Sequence, residues 1–240
     1  MGIIKKNKWF IAYKRRGVNL FDLSGLTIVE PPQDTYMADP FVLDGYFFYE
    51  WYDYNKGKIA CSIIEDGKMT PPITVLEKSW HLSFPSVVKL DGEYYMTPEQ
   101  GSRLQIFKAK QFPFKWEILT EIATGNFADP VLYKEDGWYK IYVTVLDNAY
   151  QIYRTRDLLG SWELDTGGGE DCRAAGHPFE LGGLVRPIQE CHQSYGRAIL
   201  FQRNGKTFKT LEPDWFPGIT ATHTFNFNDK YVVIDGKIPL

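Results

Sequence analysis

Two Asp-Pro dipeptides, Asp39-Pro40 and Asp129-Pro130, stand 90 residues apart, and Glu50, Glu99, Gln189 and His223 fall around them at recurring intervals. A lone Asp-Pro is most simply a turn that opens a strand, with Asp accepting backbone hydrogen bonds and Pro fixing φ. Two of them in phase with a repeat, accompanied by Glu99, point instead to carboxylates gathered in one place. Crowded carboxylates repel one another and lose hydration, which raises some of their pKa values. Glycoside hydrolysis needs that combination: one carboxylic acid protonates the leaving oxygen while another carboxylate activates water or attacks the sugar. Asp39, Glu99 and Asp129 are the catalytic candidates on this reading.

Other residues are placed to bind a sugar. His81, in Trp80-His81-Leu82-Ser83-Phe84-Pro85, precedes an inner strand and can donate to a hydroxyl, or can be a hydrogen-bonded histidine under a loop. His223 occupies the phase of Asp39. Trp51, just beyond Glu50, is either a stacking platform for a sugar ring or simple packing. Arg186, Gln189, Tyr195 and Arg197 surround Cys191-His192, where a guanidinium suits an acidic sugar or a phosphate; Arg197 suits an outer-strand salt bridge equally well. Cys172, His177, Cys191 and His192 lack a zinc spacing, so no metal site is assigned.

The elements that must position these groups are read from the turns. Asp44-Gly45, Asp91-Gly92, Asp136-Gly137, Gly182-Gly183 and Asn228-Asp229 are 47, 45, 46 and 46 residues apart, each between aromatic or β-branched runs. Such dipeptides supply the positive φ of tight hairpins. A period near 46 is that of a propeller blade, so the chain is expected to be all-β, a five-bladed β-propeller forming one domain over residues 1–240. The fifth blade has only two C-terminal strands, around Thr224 to Phe227 and Tyr231 to Asp235. Its outer pair is expected from the N-terminus, because Trp9 to Tyr13 and Phe21 to Leu26 echo Tyr150 to Arg154 and Arg156 to Trp162. Regular hairpins would then set Asp39 opposite Glu50, Phe84 opposite Glu99, Asp129 opposite Thr144, Gly176 opposite Gln189 and His223 opposite Ile234. All five pairs lie at one mouth of the channel; a bulge in any hairpin would change the facing of a side chain but not its level.

Aromatic residues make up 16% of the chain, as stacked sheets require. A net charge of −3 argues against general nucleic-acid binding. No apolar run approaches the ~20 residues of a membrane span, and Met1 to Arg16 lacks the apolar stretch of a signal peptide. Three cysteines on separate blades and no Asn-x-Ser/Thr acceptor agree with a reducing compartment, and the location is read as cytoplasmic.

The sequence also resembles a known group. Ala38-Asp39-Pro40-Phe41 and Phe127-Ala128-Asp129-Pro130-Val131 resemble the blade-opening motifs of the five-bladed glycosidases that include glycoside hydrolase family 43. More specific are Trp80 to Pro85, Tyr95-Met96-Thr97-Pro98-Glu99, Gln189 to Arg197 and Thr222-His223-Thr224-Phe225. These are similar to the propeller domain at the N-terminus of plant glucosamine inositolphosphorylceramide transferases, which recurs in bacterial polysaccharide gene neighbourhoods. The family 43 resemblance implies Asp39 as general base, Asp129 as the residue that holds and tunes the acid, and inversion at the anomeric carbon. The usual Glu-Gly-Pro motif of the acid is absent; Glu99 is assigned that role, with Glu50 and Glu190 behind it. The expected function is an inverting-type glycoside hydrolase acting on a polysaccharide or glycoconjugate. The alternatives are a non-catalytic glycan-binding propeller serving a partner transferase, and a scaffold with a vestigial pocket. No organic cofactor is expected, and the channel has room for a structural cation.

Overall fold

Asp44-Gly45, Asp91-Gly92 and Asp136-Gly137 all carry positive φ at both residues, the geometry that lets a two-residue turn follow the twist of its strands. Gly182-Gly183 does the same at 61° and 116°. Asn228 works differently: its side-chain Oδ1 accepts from the backbone N–H groups of Lys230 and Tyr231, which makes an Asx turn. The computed structural model describes residues 7–145, 149–168 and 173–239, and these contain strands, turns and connections but no helix. No helix among them is therefore long and apolar enough to cross a membrane.

The strands form four hydrogen-bonded sheets. The first contains Tyr36–Leu43, Tyr46–Tyr52 and Gly57–Glu65, with the short strands Lys68–Met69 and Ile73–Leu76 both pairing Gly57–Glu65. A seven-stranded sheet follows, running from Ser83–Leu90 through Glu93–Glu99 and Gly101–Gln111 to the long strand Lys115–Glu135, then Trp138–Val145, Ala149–Thr155 and Glu163–Gly168. The sequence placed separate strands at Trp116 to Leu119 and Pro130 to Lys134. Instead one 21-residue strand joins them, because Thr120 to Asp129 contains no proline to interrupt the ladder. The third sheet is Phe179–Glu180, Leu184–Glu190, Ala198–Arg203 and Lys206–Leu211.

The last sheet joins both ends of the chain. Asn7–Arg15 pairs with Tyr231–Pro239 over nine residues, and Phe225–Phe227 and Thr27–Val29 flank that pair. The outermost strand is Thr27–Val29; Phe21 and Leu23, expected in that strand, instead lie in a turn and pack against Phe201, Phe225 and Val232. Trp9, Phe10, Ile11, Ala12 and Tyr13 are all buried. Such burial of a terminal strand stabilises by roughly 1.5–3 kcal/mol for each large side chain.

Bulges decide where the candidate residues lie. In the first two hairpins and in the third, the ladder slips by one residue between Ala38 and Phe41, Ser83 and Ser86, and Ala128 and Val131. Pro40, Pro85 and Pro130 sit in these slips, where a residue without an N–H breaks no ladder bond. The residue before each proline takes a positive φ: 54° at Asp39, 44° at Phe84 and 50° at Asp129. Consequently Glu50 faces Ala38, Glu99 faces Ser83 and Thr144 faces Ala128, one residue away from regular pairing. In the third sheet Ala174 bridges Ile188, so Gln189 lies level with Arg173 rather than Gly176. Ile234 pairs with Phe225, not His223.

Candidate functional site

The bulges bring Asp39, Glu50, Glu99, Asp129, His81 and His223 around one polar cavity of about 170 Å³, closed further by Trp9, Tyr36, Ser83, Arg173 and Tyr195. Of the residues singled out by the sequence as catalytic, all three line it. Their arrangement divides into two clusters.

In one cluster, Asp39 accepts from Thr224 Oγ1 at 3.0 Å and from the Phe84 N–H at 3.2 Å. Its own N–H donates to Asp235 Oδ2 at 3.1 Å. Asp235 is fully buried and also accepts the N–H groups of His223 and Thr224. His223 Nδ1 lies 2.6 Å from Asp235 Oδ2 and 3.7 Å from Asp39 Oδ1. Burial opposes the charged imidazole, but Asp235 and Asp39 prevail and push its pKa up to about 9. Burial is also the first cause that pushes Asp39 up to about 7; the His223 charge opposes it, while Glu50, Asp235 and Asp129 add repulsion. The indole of Trp9 stacks on His223 at 3.9 Å and 17°, and Tyr195 meets its edge at 5.5 Å. Gly196, at φ +60°, leaves room for this ring, since a Cβ there would lie 2.8 Å from His223 Cβ.

In the second cluster the Arg173 guanidinium bridges two carboxylates, with Nε 2.5 Å from Asp129 Oδ2 and Nη2 3.1 Å from Glu99 Oε2. The Asp129 N–H donates to Glu99 Oε2 at 3.0 Å. Gln189 Nε2 donates to Asp129 Oδ2 at 3.0 Å and to the Ala174 carbonyl at 2.8 Å, so Gln189 braces Asp129 from behind the cavity. Burial, then the Asp129 charge, hold Glu99 well above the usual carboxylate range despite Arg173.

Glu50 and His81 form the rim. His81 Nε2 lies 3.1 Å from Glu50 Oε1, and the Gly57 N–H donates to Nδ1 at 3.1 Å. A nitrogen that accepts carries no proton, so Nε2 holds the hydrogen and donates to Glu50. The hydrogen bond to Glu50 pulls the imidazole pKa upward, and the Gly57 N–H opposes protonation of Nδ1. Gly57 permits the approach, because a Cβ would sit 2.5 Å from the Leu82 carbonyl and 2.8 Å from Glu50 Oε1.

Three candidate binding residues are elsewhere. Trp51 packs among Ile11, Met37 and Tyr49 with Lys58 over its ring, because alternation along Tyr46–Tyr52 turns it away from the side of Glu50. Arg197 bonds Glu190 and Glu212 as the outer salt bridge that its position allowed, which also removes Glu190 as an acid. Arg186 lines a separate cleft between the seven-stranded sheet and the third sheet. Cys61 is a buried free thiol, Cys191 Sγ accepts the Gly196 N–H at 3.4 Å, and Cys172 lies outside the described residues. Asp39, His223 and Asp235 bring one donor atom each within 4.8 Å, the spacing of a cation site. Two of these donors, His223 Nδ1 and Asp235 Oδ2, lie 2.6 Å from each other.

Arg173, Asp235, Trp9 and Tyr36 were not singled out from the sequence. Arg173 carried a usable signal: it lies 45 residues after Ala128, as Ala128 does after Ser83 and Ser83 after Ala38. Asp235 had none, since its role depends on the pairing of the two chain ends.

The fold and the sequence have counterparts among known proteins. The fold matches a Hadza microbial sialidase with a TM-score of 0.56 at 12% identity, over 95% of this chain and 59% of that one. It matches GH43B of the Bacteroides ovatus xyloglucan locus with a TM-score of 0.50 at 14% identity, over 77% and 43%. Glucosamine inositolphosphorylceramide transferase 1 of Arabidopsis thaliana is 26% identical over 189 residues, 68% of this chain but 25% of its own length. The chain thus spans about a quarter of that relative. The family model described as glucosamine inositolphosphorylceramide transferase 1, N-terminal, matches residues 30–214, well over half of the 240, and the chain belongs to that family.

Proposed function

We propose that the protein is a five-bladed propeller whose channel mouth takes a glycan and hydrolyses it with inversion. The five blades would be the four sheets, with the seven-stranded one counted as two blades joined along Lys115–Glu135. The observation that carries the functional reading is that Asp39, Glu99 and Asp129 line one small polar cavity, and burial raises both Asp39 and Glu99. A general base works best with a pKa near the working pH, and Asp39 at about 7 meets that condition. Glu99, held protonated by burial and by Asp129, suits the acid that protonates the leaving oxygen. Asp129, fixed by Arg173 and Gln189, orients Glu99 through its own N–H. His81, Glu50, Tyr195 and His223 supply donors and acceptors for sugar hydroxyls. The imidazolium of His223 provides the positive charge for which the channel had room, so this chemistry needs no cofactor.

A second reading has its own support. Arg173 ties Glu99 and Asp129 together, which favours a rigid binding pocket, and the matched relatives are named as transferases. In that case the propeller holds a glycan for a partner transferase. The two readings separate on Asp39→Asn and Glu99→Gln. Loss of a general acid or base typically costs about 10² to 10⁴-fold in rate. For the hydrolase, both variants lose reducing-sugar release from a panel of bacterial polysaccharides while still binding them in a direct titration. Binding without turnover by the unmodified protein, on a panel that includes its own glycan, would leave only the accessory module.

A further inference from the structure

A second cavity of about 400 Å³ opens between the seven-stranded sheet and the third sheet, well within the size of small-molecule sites. It shares no lining residue with the channel mouth. One wall comes from the strands Trp138–Val145 and Ala149–Thr155, where Tyr142 and Tyr150 stack at 5.2 Å and 17°. The facing wall comes from Leu184–Glu190, whose alternate residues Leu184, Arg186 and Ile188 look into the gap. Gln202 is the cross-strand partner of Arg186 and lies on the same face.

Two features of this cleft are unexplained by packing. Arg186 makes no ion pair among the described residues; its guanidinium lies over the Tyr142 ring at 5.9 Å. Glu135, the acid on the cleft wall, is engaged by Lys140 at 2.7 Å and leaves Arg186 uncompensated. The Tyr133 hydroxyl is buried, the residue being only 7% exposed; the Arg186 guanidinium approaches it, but no group among the described residues reaches it with hydrogen-bond geometry. It adjoins a small extension of the cleft that also touches Tyr142, Arg186 and Ile188. An unpaired buried hydroxyl costs about 1–3 kcal/mol, so a ligand oxygen that reached it would bind with that cost removed. Burial pushes the Tyr133 phenol up to about 12, with the Arg186 charge opposing, so it is a donor at any ordinary pH.

We propose that this cleft is a second ligand site, specific for a saccharide that carries a carboxylate. Arg186 receives the carboxylate in its planar fork, the Tyr142 and Tyr150 wall packs against the sugar ring, and Gln202 and the Tyr133 hydroxyl bond its oxygens. The site does not depend on hydrolysis at the channel mouth.

The test is titration of the full chain with sodium D-glucuronate, D-glucose and sodium sulfate, followed by amide chemical-shift mapping. Glucuronate should bind and should shift amides near Arg186, Gln202 and Gly205. Glucose and sulfate should bind at least about tenfold more weakly. Arg186→Met should weaken glucuronate binding about tenfold or more, and Tyr133→Phe by a smaller factor of roughly three. If Arg186→Met fails to fold, Arg186→Lys takes its place, and keeping the charge without the fork should still lower affinity. Shifts confined to residues around His81 and Gly57, equal binding of sulfate, no binding of glucuronate, or affinity unchanged in the Arg186 and Tyr133 variants would each overturn the proposal.

Discussion

The two halves of the polar cavity use the same backbone device with different cations. At one, the Asp39 N–H bonds Asp235 and the partner cation is His223; at the other, the Asp129 N–H bonds Glu99 and the partner is Arg173. Asp39 and Asp129 are equivalent bulge residues, with φ of 54° and 50°. The cation differs in kind. A guanidinium between two carboxylates stays charged at all accessible pH, whereas an imidazole between Asp235, Trp9 and Tyr195 titrates. One half is therefore a fixed clamp, and the other responds to pH and to the packing around it.

Breaking each half in turn should show this difference. The largest effect is expected from deleting residues 1–15, which removes the strand paired with Tyr231–Pro239 and takes Trp9 from His223. That deletion should abolish cooperative unfolding in circular dichroism, because it exposes a sheet edge and strips a buried face. Arg173→Met should come next, costing about 3–5 kcal/mol by leaving the buried Asp129 carboxylate uncompensated, with a loss that is similar from pH 6 to 9. Denaturant titration at several pH values measures it; a cost below about 1 kcal/mol would mean the clamp is relaxed in solution.

The histidine half predicts a pH profile. His223 has a folded pKa of about 9 against 6.5 for the free residue, so its contribution is complete below 6.5 and is lost as pH rises through about 9. Asp39 acts in the same direction at lower pH, because a folded pKa of about 7 favours the protonated form and stability declines from 3.8 towards 7. Tm should therefore fall between pH 6.5 and 9.5, by an amount equivalent to at most about 3 kcal/mol for His223. His223→Gln should remove most of that drop. An undiminished drop in the variant assigns the titration to another group. Gly196→Ala sharpens the same half, since its Cβ meets His223 at φ +60°; a loss of about 1–3 kcal/mol in denaturant unfolding is expected. Smallest of all, Arg197→Ala breaks a partly exposed ion pair outside both halves and should cost under about 1 kcal/mol with glycan binding unchanged.

Much of the site was legible from the chain because its determinants are local. The glycine and aspartate turns set the hairpins, and hairpin length set the level at which Asp39, Glu50, Glu99, Asp129 and His223 lie. His81 was found through its position before an inner strand, and it reaches Glu50 as a donor at the cavity rim. Facing was another matter. The bulges at Pro40, Pro85 and Pro130 moved the partners of Glu50, Glu99 and Thr144 by one residue; there Asp39 accepts the Phe84 N–H, while Asp129 is held by the side chains of Arg173 and Gln189. Trp51 and Arg186 were drawn into the site by closeness in sequence, and strand alternation sends them elsewhere.

The sequence by itself determined the strand-rich class, the repeat and which carboxylates were available to line the cavity, since turn conformation and side-chain type belong to single residues or neighbouring pairs. Only the tertiary structure decided which cation each carboxylate pair receives. Asp39 meets Asp235 across 196 residues, and Glu99 meets Arg173 across 74. Those meetings depend on how separate sheets pack and on the union of the two chain ends, and neither is written in any local run of residues.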